Sequence, residues 1–394
     1  DADTVSGITN LFVKNELTQK ICFFRSPPWG SKAKAGTPIS DTEVTRLRQY
    51  LTQRFRVEFA KDVVDSAIAA YADQHSCHPV QEYLKGLTWD GEPRLETWLA
   101  DICGIEDNMY HRAVSKKLII CLIARAMNPG CKVDNMVVFE GDQGCRKSTL
   151  VETLGFNRRD GMGWFKSPDL NLSGHGTSYI TDCLGAWVIE VAEMASMCKA
   201  DERTAKMFLS TAMDTGTLKY DKYSSDFMRQ FVAIGTINPY GEGRYIRDAT
   251  GARRYWPVRV NKSEAEPMDT DKLDAMLDQI YAEGKAAYDR GETVYMEGKE
   301  LEATLKEQKA RLATQGGIEE IDDYFTTGKG SEKDRIAIRQ TIKAIWPNEG
   351  IKAYRRDDLY HYLKVKGWIY KNTLRVNGVN TNGFVRPVEE DEGW

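Results

Sequence analysis

The chain has 394 residues, of which 28% are charged, and a formal net charge of −4. That length allows two or three domains with a sizeable core, and the charge balance excludes a protein that is basic overall, although not a local basic patch. Eight cysteines without a C-x-x-C pair speak against a disulfide scaffold or a zinc ribbon, and no apolar run or basic-then-apolar leader marks a membrane or secretory segment.

Residues 1–40 end in the turn-rich stretch Ser26-Pro27-Pro28-Trp29-Gly30-Ser31-Lys32 and read as a loop, an arm or a linker. The first residue is Asp rather than Met, as expected of a piece of a longer protein or a processed one. Helical spacing begins at Asp41, with Val44, Leu47, Leu51 and Phe55 on one face, and a helical domain is predicted over 41–133. Within it Ala113 to Ala126 is apolar enough for a buried helix, which Pro129-Gly130 breaks. His75, Cys77 and His78 lie close together, but adjacency alone is a weak metal signal.

From Asp134 the pattern changes to apolar runs of strand length separated by glycine-bearing turns: Met136–Phe139, Ala186–Val191 and Phe231–Gly235. With a helix over Asp201–Thr211 between them, they predict a largely parallel sheet flanked by helices, an α/β core spanning 134–262. Ligands of such sheets lie beyond the carboxyl ends of the strands. Residues 263–330 read as helix and linker with joints at Gly316-Gly317 and Gly328-Lys329-Gly330. Residues 331–394 read as helices followed by a hairpin on Asn377-Gly378, a small, more basic, winged-helix-like module.

The first predicted strand runs into Gly141-Asp142-Gln143-Gly144-Cys145-Arg146-Lys147-Ser148-Thr149 and then a helix, the setting of a Walker A phosphate loop. Its N–H groups would cradle the phosphates of ATP, Lys147 would reach the outer ones, and Ser148 would offer a hydroxyl to Mg²⁺. Arg146 stands where glycine is usual; its side chain either collides with the phosphates or splays outward and leaves the amide nest intact. Glu190, at the end of the second strand, is the expected acid on the Mg²⁺ side, with Glu193 as general base, and the two roles are exchangeable. Asn238 follows the third strand as a candidate polar sensor of the terminal phosphate. Arg247, Arg253 and Arg254 are candidates for an arginine acting on a neighbouring subunit's phosphate. Between the acidic and sensor strands, Lys219 and Lys222 fall in a loop or hairpin suited to touching a nucleic-acid backbone.

Residues from about 78 to 258 resemble the virulence-associated protein E family of phage, prophage and plasmid replication proteins, which are similar to superfamily 3 helicases of the AAA+ group. The resemblance is carried by His78-Pro79-Val80, Trp89-Asp90-Gly91, Pro129-Gly130, Glu140-Gly141, Lys147-Ser148-Thr149, Glu190, Glu193, Arg229, Asn238, Arg247-Asp248 and Arg253-Arg254 with Trp256-Pro257. It implies an AAA+ P-loop core, ATP and Mg²⁺ as ligands, and a ring, expected to be hexameric, that translocates on single-stranded or forked DNA and unwinds it. A primase-polymerase region in the same polypeptide and a location in the cytoplasm of a bacterium or infected host are further expectations. This chain departs from the pattern at Arg146 and in the three-residue spacing of Glu190 and Glu193. The rival readings are a DNA-dependent ATPase that loads or packages without unwinding, a non-catalytic scaffold with a disabled loop, and a nucleotide kinase.

Overall fold

Strands and helices are described, in this computed structural model, for residues 8–156, 163–170, 178–194, 202–217, 223–238, 246, 252–311, 318–326, 328, 330, 333–347, 356, 359–360, 362–364 and 366–386. By chain contacts they divide into a larger unit, Asp1–Glu242 with Thr250–Ala310, and a smaller one, Gly243–Ala249 with Arg311–Trp394. No helix among the described residues is long and apolar enough to cross a membrane.

The larger unit opens with β1 (Phe12–Asn15) and β2 (Lys20–Phe23), which pair antiparallel. Helices α1 (Asp41–Phe55) and α2 (Lys61–Gln74) follow, and then β3 (Ser76–Cys77) joins β1 in parallel. The segment expected to be a loop or arm is therefore partly sheet. Leu11, Phe12 and Phe23 bury themselves with Val44, Leu47 and Ile68, and strands of four residues are too short for alternation to announce them. Even the turn-rich stretch is tied down, because Glu43 accepts hydrogen bonds from Trp29 Nε1 (2.8 Å) and Ser31 Oγ (2.7 Å).

Next come α3 (Pro79–Gly86), α4 (Trp98–Cys103) and α5 (Met109–Met127). Asn108 caps α5 by accepting from the His111 N–H. As its apolar run predicts, α5 is buried on nearly every face, from Ala113 to Ala126. The sheet strands are β4 (Met136–Glu140), β5 (Phe165–Lys166), β6 (Val188–Val191), β9 (Val232–Ile237) and β10 (Tyr255–Arg259). Interleaved with them are α6 (Lys147–Leu154), α7 (Ser178–Cys183), α8 (Glu202–Ser210) and a hairpin of β7 (Met213–Gly216) and β8 (Ser225–Met228). The five strands stand in the order β10-β4-β9-β6-β5, and every neighbouring pair is parallel. The unit closes with α9 (Thr270–Asp289) and α10 (Gly298–Arg311).

The core joins this sheet to α5, α6 and α9 through large aromatic residues. Phe156, Trp187 and Tyr281 are fully buried together, and Tyr83 and Trp164 pack their edges against Phe156. Their polar atoms are satisfied inside: Trp187 Nε1 donates to Leu122 O (2.7 Å) and Tyr281 O–H to Leu154 O (2.8 Å). Close packing of α9 on α5 depends on Gly284, where a Cβ would lie 2.6 Å from Ile119 Cγ2.

In the smaller unit α11 (Ile318–Thr326), β11 (Arg335–Ala337) and α12 (Ile338–Ile345) precede helical residues 359–360 and 362–364. The hairpin β12 (Ile369–Val376) and β13 (Val379–Val385) then builds a three-stranded antiparallel sheet in the order β11-β13-β12. Its core is separate, formed by Ile321, Ile338, Ile342, Leu359, Leu363 and Phe384 with their neighbours.

Candidate functional site

Each strand of the parallel sheet releases its chain at the same end, so the turns after β4, β6 and β9 gather along one edge. Strand β9 lies between the other two: Glu140 pairs with Ile237 on one side and Glu190 with Ile234 on the other. Asn238, half-buried, therefore emerges between the turn after β4 and the turn after β6.

The turn after β4 begins at Gly141, whose N–H donates to Ile237 O (3.3 Å) and whose missing side chain lets Val260 and Cys145 approach. Gly144 sits at φ +84, where an L side chain is strained, and an added Cβ would meet the stem of Glu264 at 2.9 Å. The thiol of Cys145 is buried and donates to Asp142 O (3.1 Å), drawing the turn tight. Arg146 then takes φ 72, ψ 32, the left-handed conformation for which glycine is the usual choice. Its side chain is exposed, and the Leu150 N–H reaches the Arg146 carbonyl at 3.0 Å to start α6. The backbone of the phosphate-loop pattern is thus adopted with a bulky residue in the glycine place. The N–H groups of residues 142–149 donate to no acceptor among the described residues, so the turn offers a run of open donors.

Lys147 is the first residue of α6 and is only 7% exposed. Its ammonium donates to Gly141 O (2.9 Å) and Asp142 O (2.7 Å) and approaches Cys145 Sγ at 3.6 Å. One residue on, Ser148 Oγ donates to Glu190 Oε1 at 2.6 Å. The same oxygen accepts from Thr236 Oγ1 at 2.8 Å, so the start of α6 and the ends of β6 and β9 meet on one buried carboxylate, itself 3% exposed. Thr149, half-buried, accepts through its carbonyl from Thr153 Oγ1 inside α6 and does not enter this cluster. Glu193 is exposed, in a short 3₁₀ turn at φ 51 beyond β6. Among the described residues no group of three or more His, Cys, Asp or Glu side chains is arranged to hold a metal ion.

The arginines lie elsewhere. Arg253 and Arg254 form a 3₁₀ turn before β10, and β10 pairs with β4 from Tyr255↔Met136 to Arg259↔Glu140. They stand at the amino ends of the strands, roughly 16 Å along β4 from the Gly141 turn at ~3.3 Å per residue. There Arg254 Nε donates to Ser210 Oγ (3.2 Å), and both arginines line a cleft of about 210 Å³ with Lys132, Asp134, Trp256 and Tyr295. Arg247, Lys219 and Lys222 lie outside the described residues. The strands β7 and β8 that flank the 218–222 stretch do pair as a hairpin.

Two groups that the sequence assigns no role are drawn into polar networks. Thr236, near the carboxyl end of β9, is one; its signal is a hydroxyl inside an apolar strand. The other is Arg229, whose guanidinium clamps both oxygens of Asp214 (2.6 and 2.8 Å) and donates to Phe208 O. It lies over the Phe208 and Phe231 rings, with Tyr179 O–H completing Asp214 at 2.8 Å. Fully buried and doubly paired, it braces the β7–β8 hairpin against α8.

A mixed α/β protein with helical regions around a parallel sheet, gathering a glycine-bearing turn, a lysine and a hydroxyl-capped glutamate at the strand ends, is the class these features define. Residues 84–313, more than half of the sequence, match the Virulence-associated protein E-like domain. The chain belongs to that family. No curated protein matches it. Among solved structures it is similar to three apo structures of the NrS-1 C-terminal region, at 11%, 10% and 12% identity and a TM-score of 0.45, covering 95% of this chain and 96% of each of those.

Proposed function

We propose that the chain is a ring-forming, ATP-dependent DNA translocase or helicase of the superfamily 3-like AAA+ type, acting in replication of a mobile element. The observation that carries this reading is the placement of Lys147 and Ser148 on the open turn after β4 with Ser148 against Glu190. Open N–H donors and a buried ammonium that, among the described residues, is held by neutral acceptors are the chemistry that recognises a polyphosphate. The interposed β9, followed by Asn238, supports the AAA+ assignment, because a polar residue there stands between the phosphate turn and the acid.

In this reading the turn 141–148 wraps the phosphates and Lys147 exchanges its carbonyl partners for phosphate oxygens. Ser148 and Glu190 would hold Mg²⁺, which typically keeps one or two protein ligands alongside phosphate oxygens and neutralises their charge. Glu190 or Glu193 takes the proton of the attacking water, and Asn238 orients that water against the terminal phosphate. Arg253 and Arg254, turned away from their own chain's turn, suit a role on a neighbouring subunit in a ring, with Arg247 the further candidate. Lys219 and Lys222, in the sequence between β7 and β8, would touch single-stranded DNA. The order of α11, β11, α12, helical residues and hairpin supports reading the smaller unit as winged-helix-like.

The test is a magnesium–ATP titration and turnover assay with and without single-stranded DNA. The wild type should bind saturably and turn over, and Lys147→Ala should reduce turnover by about a hundredfold or more, in line with losing a main electrostatic stabiliser. Absence of saturable binding in the wild type, or wild-type turnover in Lys147→Ala, would remove the reading.

A further inference from the structure

The stretch that follows β10 is packed against the phosphate turn and carries a carboxylate that the proposed mechanism does not use. Strand β10 ends level with β4, Arg259 opposite Glu140, so its chain emerges beside Gly141. The Val260 N–H donates to Glu140 O (2.7 Å), and the Met268 N–H donates to Cys145 O (3.3 Å) within the turn itself. Residues 260–268 are therefore a strap fixed to the turn and its strand at both ends. A third anchor is the Asn261 N–H, which donates to Cys103 O (3.0 Å).

Between those anchors the strap is folded on itself. The Ser263 N–H donates to Glu266 O and the Glu266 N–H to Ser263 Oγ, both at 3.2 Å, while Lys262 Nζ donates to Glu266 Oε1 at 2.5 Å. Asp269, next along, is occupied as the cap of α9, accepting from the Lys272 N–H. That leaves Glu264, which is exposed and whose carboxylate pairs with nothing among the described residues. Its stem lies against Gly144, where an added Cβ would come within 2.9 Å of it. No N–H of the turn donates to it among those residues, so Glu264 stands beside the cradle without plugging it.

Strand order sets which end of a nucleotide meets this flank. In the order β10-β4-β9-β6, the candidate sensor Asn238 and the acid Glu190 both lie on the β9 side of the phosphate turn. A terminal phosphate that reacts there leaves the nucleoside to emerge on the opposite, β10 side, against the strap. A carboxylate is a poor neighbour for phosphate oxygens, since it carries the same sign of charge and offers no donor. It is a good neighbour for a sugar, whose adjacent hydroxyls donate to its two oxygens. We infer that Glu264 accepts hydrogen bonds from the 2′ and 3′ hydroxyls of the nucleotide's ribose and so selects a ribonucleoside triphosphate over its 2′-deoxy counterpart, an assignment that rests on the nucleotide reading proposed above.

The experiment measures the affinity of the full chain, with Mg²⁺ present, for ATP, 2′-deoxyATP and inorganic tripolyphosphate. The wild type should bind ATP about tenfold more tightly than 2′-deoxyATP, the effect of one hydrogen bond to a charged group. Glu264→Gln keeps the stem on Gly144 and loses the charge, and in it that ratio should fall to about twofold or less. Tripolyphosphate has no sugar, so its affinity should not fall in the variant. A wild type that binds ATP and 2′-deoxyATP alike, or a ratio unchanged in Glu264→Gln, would overturn the inference. Equal losses for ATP and tripolyphosphate would overturn it too, because they would mark Glu264 as a support for the turn. A wild type that binds neither ATP nor tripolyphosphate removes the nucleotide reading itself, and the ribose contact with it.

Discussion

Glu190 shows how a helix start and two strand ends become one chemical centre. A carboxylate that is 3% exposed needs donors, and it has Ser148 and Thr236 on the same oxygen. Ser148→Ala and Thr236→Val should each cost about 1–2 kcal/mol of stability. Because both act on one acceptor, the double variant should depart from additivity by at least ~0.5 kcal/mol, measured by urea unfolding as a double-mutant cycle. Strict additivity would mean that the two hydroxyls do not share Glu190. Of this centre, Lys147, Ser148 and Glu190 can be picked from sequence because glycine spacing and a strand-ending acid mark them. The role of Thr236 is not legible in the same way, since threonine inside an apolar strand reads first as a good strand former. Arg146 is legible as an exception, but only its φ of 72 and its exposed side chain show how the turn accommodates it.

At the scale of elements, helix starts are set by local side chains, and α3 has an unusual one. His78 is 4% exposed, and its Nδ1 accepts from the Gln81 N–H at 3.3 Å, which requires a neutral ring with its proton on Nε2. Burial pushes its pKa below the ordinary value, outweighing the neighbouring groups that raise it. The unfolded chain therefore binds the proton more readily than the folded chain. The stability this contributes is present above about pH 6.5 and is lost as pH falls through the folded-state pKa. His78→Asn keeps a capping oxygen without the titration, so its melting temperature should fall less than that of the wild type between about pH 7 and about pH 5. Parallel acid sensitivity of the two proteins would exclude His78 as the source. The α/β character and the parallel sheet are legible from the apolar runs of β4, β6 and β9. Strand β10 is not, because Pro257 argues against a strand; it is tolerated there because β10 is at the sheet edge. Strands β1 and β2 are missed for their shortness.

The whole molecule sets a constraint that no single residue reveals: the Gly141 turn and the Arg253-Arg254 turn occupy opposite ends of the same strands. If the proposed ring forms, each active site combines the turn of one copy with arginine from another. Lys147→Ala and Arg253→Ala/Arg254→Ala proteins, each inactive alone, should then regain ATP turnover when mixed, up to about a quarter of wild type for random pairing at the interfaces that carry both intact halves. Mixtures as inactive as their components would show that the arginines do not act between copies.

The ammonium of Lys147 rests on two carbonyls and a thiol, and no carboxylate among the described residues pairs with it. Among those residues it meets neutral partners alone, beside a row of amide hydrogens. If this is the proposed phosphate site, small oxyanions such as sulfate or inorganic phosphate should compete for it, so crystallisation salts, storage buffers and the choice of counter-ion should change any nucleotide affinity measured there.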